Sequence, residues 1–260
     1  MKRLFAYTVA LAIAALGGEA PGGIIKRSSA PRPIPVAPTV PPSEATDTRP
    51  LLWVVDGAGD LRGCSNALSQ TNILAGNPVE LSVFAWSHGY RRLLLDQVDT
   101  IHAKSQGARL AAKIQQRAKE EPGRRVVVVA HSAGCAVALA AGDCLPADSI
   151  DRMILLAPSV STKYDLRSSL AAAREGIDVF CSKKDWVALG VGTRLVGTTD
   201  QGRVPAAGRH GFRVAEPDRL RQHFWSSELA WTGNTGGHYG THSPAFLQVY
   251  VFPLIGTGVK

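Results

Sequence analysis

The 260 residues carry a formal charge of +8, and the first fifty, with six basic against three acidic residues, hold +3 of it. The 210 residues that follow are enough for one domain with a substantial core. Their basic residues fall in short pairs (Arg91-Arg92, Arg124-Arg125, Lys183-Lys184) without the interleaved aromatics of single-stranded nucleic-acid binders; this excludes nucleic acid as a partner and leaves a weak attraction to anionic envelopes.

Residues 1–20 read as a secretory signal. Lys2 and Arg3 precede a thirteen-residue apolar stretch, Leu4 to Leu16, and small residues follow for cleavage after Ala20. Thirteen residues are short for a membrane span, so the expectation is an exported protein, with an uncleaved anchor as the alternative. Residues 21–50 are Pro-rich and poor in large apolar side chains, a composition that cannot bury a core, and read as a linker. The domain is 51–260.

Within it, strand-like runs at Leu51 to Val55, Glu80 to Trp86, Arg125 to Ala130, Met153 to Ala157 and Ile177 to Cys181 alternate with helical segments, and a last strand is expected near Arg221 to Trp225. Helical spacing marks Asn66 to Leu74, Leu93 to Ala103 and Arg109 to Lys119, the last two separated by Gly107. Ser243 as cap and Pro244 at the first helical position predict a closing helix that stops before Pro253. The alternation implies an α/β fold, a doubly wound, mostly parallel sheet of about six strands with helices on both faces.

Chemistry enters at Ala130-His131-Ser132-Ala133-Gly134. Four valines lead into a small-x-Ser-x-small turn and an alanine-rich helix, the order of a nucleophile elbow that leaves a serine hydroxyl exposed at a helix N-terminus. An ordinary helix capped by Ser132 is the competing reading, and the valine run favours the elbow. Asp185 follows the strand Ile177 to Cys181 and lies at the sheet edge where ligands bind, which makes it the candidate acid; Asp178 begins that strand and belongs at the opposite end. His238, in the Gly-rich run Asn234 to Thr241, is the candidate base, with His242 as runner-up. A strand that breaks into Asp56-Gly57-Ala58-Gly59-Asp60 offers free N–H groups to a developing oxyanion, with Ala58 as donor beside Ala133, and Gly57 or Gly59 close behind. His88, in the loop Trp86-Ser87-His88-Gly89, is a candidate substrate contact, with a histidine that only satisfies its loop as the commoner alternative.

No metal or cofactor is called for, because there is no Cys-x-x-Cys and the one His-x-x-x-His spacing, His238 to His242, falls in a Gly-rich segment. Cys135 and Cys144 stand nine positions apart, about 13 Å at helical rise, too far to pair with each other. Cys64 with Cys144 or Cys181 stays open.

With elbow, acid and histidine in this order, the chain resembles the α/β-hydrolase family of serine esterases and lipases from Leu51 to about Leu254. The segments AHSAG, CSKKDW and GGHYG carry the resemblance, while DGAGD stands where members often have a His-Gly pair. The resemblance implies an acyl-enzyme mechanism on a small-molecule ester or acyl substrate, with Ser132 as nucleophile, His238 as base and Asp185 orienting the imidazole. It also implies a reduced sheet, because the two strands that usually open the family's sheet have no counterpart. A binding or envelope-associated protein that kept the fold is the alternative. Pocket walls are expected from 190–223.

Overall fold

A computed structural model describes residues 47–185, 198–200, 204–214 and 218–256. The signal and all but the end of the Pro-rich stretch therefore lie outside the described residues. That end, from Asp47, is already tied to the domain: Arg49 pairs with Asp47 (2.6 Å) and donates to the Asn77 carbonyl (3.2 Å), and Arg124 donates to the Arg49 carbonyl (2.8 Å).

Six strands form one sheet: β1 (Leu51–Val55), β2 (Glu80–Val83), β3 (Val126–His131), β4 (Arg152–Leu156), β5 (Ile177–Cys181) and β6 (Leu220–Phe224), in the order β2-β1-β3-β4-β5-β6. Every pairing is parallel, as in Val55 opposite Ala130 and His131 opposite Leu156. Strand residues alternate between two apolar layers. Leu51, Trp53, Val55, Val126, Val128 and Leu155 face one core; Leu52, Val54, Val127, Val129, Ile154 and Leu156 face the other. Burial on both faces is why these strands read as unbroken apolar runs.

Around the sheet run α1 (Gly63–Leu74), α2 (Leu93–Val98), α3 (Thr100–Glu120), α4 (Gly134–Gly142), α5 (Arg167–Ala172) and α6 (Ala207–His210). The chain closes through Pro244–Phe246, a π-helical turn Leu247–Val251 and Phe252–Ile255. It thus passes Pro253 instead of stopping before it, since Pro253 sits in the first turn of that final piece, where its missing N–H costs nothing. Ser243 stands at the N-cap position, but its hydroxyl donates to the Thr232 carbonyl.

The expected break at Gly107 is absent. The break falls earlier, at Asp99, whose carboxylate accepts from the His102 N–H (2.8 Å) and caps α3. Gly107 lies inside α3 because that helix crosses α4 there; an added Cβ would stand 2.5 Å from the Ala140 Cβ and 2.8 Å from backbone. Gly107→Ala is accordingly expected to destabilise the domain although alanine is the better helix former. Overpacking costs about 1–3 kcal/mol against a propensity gain of about 1 kcal/mol. Urea unfolding of the two proteins measures the difference, and a more stable variant would contradict the crossing.

β2 ends at Val83, three residues short of expectation, because Trp86 turns inward to donate its indole N–H to the Asp56 carbonyl (2.7 Å). At the opposite end of the sheet the fully buried Asp178 is ringed by Arg152 (2.6 Å), Arg221 (2.9 Å) and His223 (2.8 Å). Against the cost of burial, the hydrogen bonds from His223, Arg221 and Arg152 hold its carboxyl well below the usual carboxylate range. All four cysteines are free thiols, and Cys144 alone among them is exposed. No helix among the described residues is long and apolar enough to cross a membrane.

Candidate active site

The strand order reverses between β1 and β3: the chain steps from β1 to β2 on one side, then places β3 on the other. Loops leaving the C-terminal ends of those two strands diverge and open a crevice. Into it β1 delivers Asp56 to Asp60, and β3 delivers Ser132.

Ser132 has φ 54°, the left-handed region, at the tight turn between β3 and α4. The strain is held by neighbours. Its N–H donates to the Leu156 carbonyl (3.0 Å), and its own carbonyl accepts from the Ser159 (3.1 Å) and Cys135 (3.1 Å) N–H groups. Gly134 lets α4 begin against the end of β1, since an added Cβ there would run into the carbonyl oxygens of Asp56 and Val55.

Ser132, Asp185 and His238 are brought together. His238 Nε2 lies 2.9 Å from Ser132 Oγ, and His238 Nδ1 lies 2.6 Å from Asp185 Oδ2. A carboxylate can only accept, so Nδ1 carries the proton and Nε2 is left to accept from the serine hydroxyl. Asp185 is buried just past β5. The loop bearing His238 is pinned from two sides: Ser182 Oγ donates to the Gly236 carbonyl (2.6 Å), and the Trp225 indole donates to the Asn234 carbonyl (2.8 Å).

Among the described residues, the amides of Ala133 and Ala58 make no hydrogen bond, and Ala58 lines the cavity beside Ser132. Gly59 is removed as an oxyanion donor because its N–H is taken by Asp96 (2.6 Å). Gly57 lines the cavity too. His88 does not reach it. Its ring is held by Asp96 (2.8 Å) and Asp99 (3.4 Å) and lies against His102 with centroids 3.7 Å apart, which is the loop-tying role rather than the candidate substrate contact.

The cavity, about 220 Å³, is walled by Asp56 to Ala58, Leu61 to Cys64, Leu93, Leu94, Gln97, Ser159 and Tyr239, together with the histidines. Of the stretch 190–223, expected to supply walls, part lies outside the described residues, and none of the described part lines it. Among the described residues no group of three His, Cys, Asp or Glu side chains is arranged to hold a metal ion.

Three site residues escaped the sequence reading. Asp56 Oδ1 accepts from the Cys64 (2.9 Å) and Ser65 (3.0 Å) N–H groups, fixing α1 to the end of β1. Asp96 fixes the turn after β1 through Gly59. His131, buried next to the serine, donates from Nε2 to the His238 carbonyl (3.1 Å) and so ties the base's loop to β3. A polar side chain ending a four-valine strand is the signal that could have found His131, because a buried polar group needs a partner.

His131, His238, Tyr239 and His242 crowd together, with the His131 ring centroid 4.3 Å from that of His242 and 4.8 Å from that of His238. Burial first, and then the neighbouring histidines, hold the His131 ring well below its ordinary 6.5 and push His242 down to about 4. Both states of the chain keep these rings neutral above pH 6.5. Below it the unfolded chain takes up protons that the folded one refuses, until pH approaches about 4 for His242. Unfolding free energy is expected to fall across that window by up to about 1.4 kcal/mol per pH unit for each histidine. Urea titrations at successive pH values, repeated with His242→Gln, measure the slope; identical slopes in the two proteins would contradict the assignment.

A family model, "Alpha/beta hydrolase of unknown function (DUF900)", matches residues 65–210, a range that contains Ser132 and Asp185 but neither Ala58 nor His238. No curated protein matches the chain. Similar solved structures include a protein described as a CIB-like hydrolase from Thermoplasma acidophilum (15% identity over 81% of this chain and 88% of that one, TM-score 0.42). Others are one described as a carboxylesterase from Lactobacillus plantarum (13%, 85% and 90%, TM-score 0.44) and a sugar hydrolase from Lactococcus lactis (13%, 81% and 87%, TM-score 0.40). At such scores none of the three bears on what this chain does.

Proposed function

The chain belongs to the α/β-hydrolase family, and from that premise we propose that it is a serine hydrolase of carboxylic esters acting through an acyl-enzyme. One observation carries the reading: a hydroxyl, an imidazole and a carboxylate in line at 2.9 Å and 2.6 Å, the hydroxyl held on a strained turn at the floor of a cavity. Ser132 Oγ attacks the carbonyl carbon while His238 Nε2 takes its proton. Asp185 holds the opposite nitrogen and stabilises the imidazolium that forms. Charge developing on the carbonyl oxygen is met by the Ala133 and Ala58 N–H groups. As the tetrahedral adduct collapses, His238 returns the proton to the departing alcohol. Water then enters by the same route in reverse and releases the acid.

A binding protein that merely kept the fold has no use for a buried carboxylate held 2.6 Å behind an imidazole that itself faces a serine hydroxyl. The test is a panel of p-nitrophenyl esters of increasing acyl length, run with and without a fluorophosphonate. Time-dependent inactivation is expected, with the adduct on the peptide containing His131-Ser132-Ala133. Absence of turnover across the panel, or an adduct elsewhere, overturns the reading. Export through residues 1–20 belongs to the same proposal, and a chain retained at full length in the cytoplasm would remove it.

A further inference from the structure

Helix α2, with the sequence LLLDQV, is built inside out. Its two polar residues point inward. Asp96 is fully buried and accepts from the Gly59 N–H (2.6 Å), the Ser87 hydroxyl (2.5 Å), the His88 N–H (2.9 Å) and the His88 ring (2.8 Å), while Gln97 donates to Ser159 Oγ (2.8 Å). Its apolar side chains point out: Leu94 is 68% exposed, Leu95 and Val98 are exposed as well, and Ile101 in the first turn of α3 is 83% exposed, with Tyr90 open just upstream. A helix resting on a core does the reverse. Single exposed leucines need no explanation, but a contiguous apolar patch marks a contact surface. Here the carboxylate's four bonds fix which way the helix faces, so the outward leucines are not a loosely seated turn.

Two observations identify what the patch meets. Leu93 and Leu94 also line the cavity that holds Ser132, so an occupant of α2 sits at the mouth of that cavity. The patch also has a cationic flank: Arg91 and Arg92 are exposed beside Tyr90, and the Arg91 guanidinium lies 6.0 Å from the Tyr90 ring centroid. Of the acidic groups nearby, Asp96 is buried in its bonds, Asp60 is paired with Arg62 (3.2 Å), and Asp99 is turned to the His102 N–H (2.8 Å) and the His88 ring (3.4 Å), away from Arg91 and Arg92, with which none of them pairs. Apolar side chains flanked by a pair of arginines suit an anionic amphiphile interface, where the leucines enter the acyl boundary and the guanidiniums meet headgroups.

We propose that α2 with its flanks is an interfacial docking site for an anionic lipid surface, which sets the cavity mouth against the layer and admits ester-bearing amphiphiles to Ser132. The delivery step rests on the ester-hydrolase reading; the docking does not.

Co-sedimentation with vesicles tests it, using the full-length chain carrying Ser132→Ala so that no lipid is consumed. Binding to phosphatidylglycerol–phosphatidylcholine vesicles is expected, weakening with salt and on pure phosphatidylcholine. Leu95→Ser/Ile101→Ser and Arg91→Ala/Arg92→Ala should each weaken it by about tenfold or more. In the otherwise wild-type chain both pairs should leave turnover of water-soluble p-nitrophenyl acetate unchanged, because none of the four residues lines the cavity. Vesicle binding that survives both double substitutions overturns the proposal. So does a concentration-dependent dimer that Leu95→Ser/Ile101→Ser dissolves, since the patch then belongs to a second copy. A protein inactive on every ester that still needs Leu95 and Ile101 to hold vesicles keeps the docking surface and loses only the ester chemistry.

Discussion

Replacing Ser132 by alanine is expected to reduce ester turnover to a residue of about 10³ to 10⁴ over the uncatalysed reaction, the level that remaining oxyanion donors and substrate binding sustain without a nucleophile. The loss should appear in kcat with little change in stability. Alanine is a smaller side chain at the same left-handed turn, and that turn is fixed by backbone bonds to Leu156 and Ser159 that the substitution leaves alone. Steady-state kinetics beside a urea melt separates the two effects. Turnover undiminished in Ser132→Ala would remove the mechanism, whatever the hydrogen-bond geometry.

The second expectation discriminates between the two histidines at the cavity. His238→Ala should abolish turnover, whereas His242→Ala should keep most of it. Only His238 reaches the serine, at 2.9 Å, and it alone is backed by a carboxylate. His242 packs edge-on against His131 beside Gly63 and its Nε2 has no hydrogen-bond partner among the described residues, the position of a wall. Asp185→Asn should fold normally and lose as much as ~10⁴ in kcat, because an amide can donate to Nδ1 and leave the imidazole with its proton on the wrong nitrogen. A dead His242→Ala, or an Asp185→Asn enzyme equal to wild type, would reassign base or acid while leaving Ser132 untouched.

The sheet was legible because parallel strands buried on both faces are written as apolar runs, and the bounds of β5 agree residue for residue. Pattern failed where tertiary contact overrode local propensity. Gly107 looks like a helix break and is a helix crossing; Pro253 looks like a stop and starts the last turn. In the site, Ser132, Asp185 and His238 were legible through their order, since each follows a strand or opens a Gly-rich loop on the same side of the sheet. The residues that hold them were not. Asp56, Asp96 and His131 act through hydrogen bonds to partners 8, 37 and 107 positions away, spacings that leave no periodic trace. For His88 the pattern left the loop role and substrate contact both open: its partners Asp96, Asp99 and His102 come from the turn and helices that follow it, and nothing in Trp86-Ser87-His88-Gly89 announces them.

The left-handed backbone at Ser132 also limits what evolution can try there. Threonine offers the same hydroxyl and is the nearest chemical relative of serine, yet a β-branched side chain is a genuine outlier at φ 54°. Cysteine, unbranched at Cβ, meets no such barrier. The elbow therefore ranks replacements by branching before it ranks them by reactivity, so a lineage drifting away from serine would pass more readily to a thiol than to the alcohol that resembles it most.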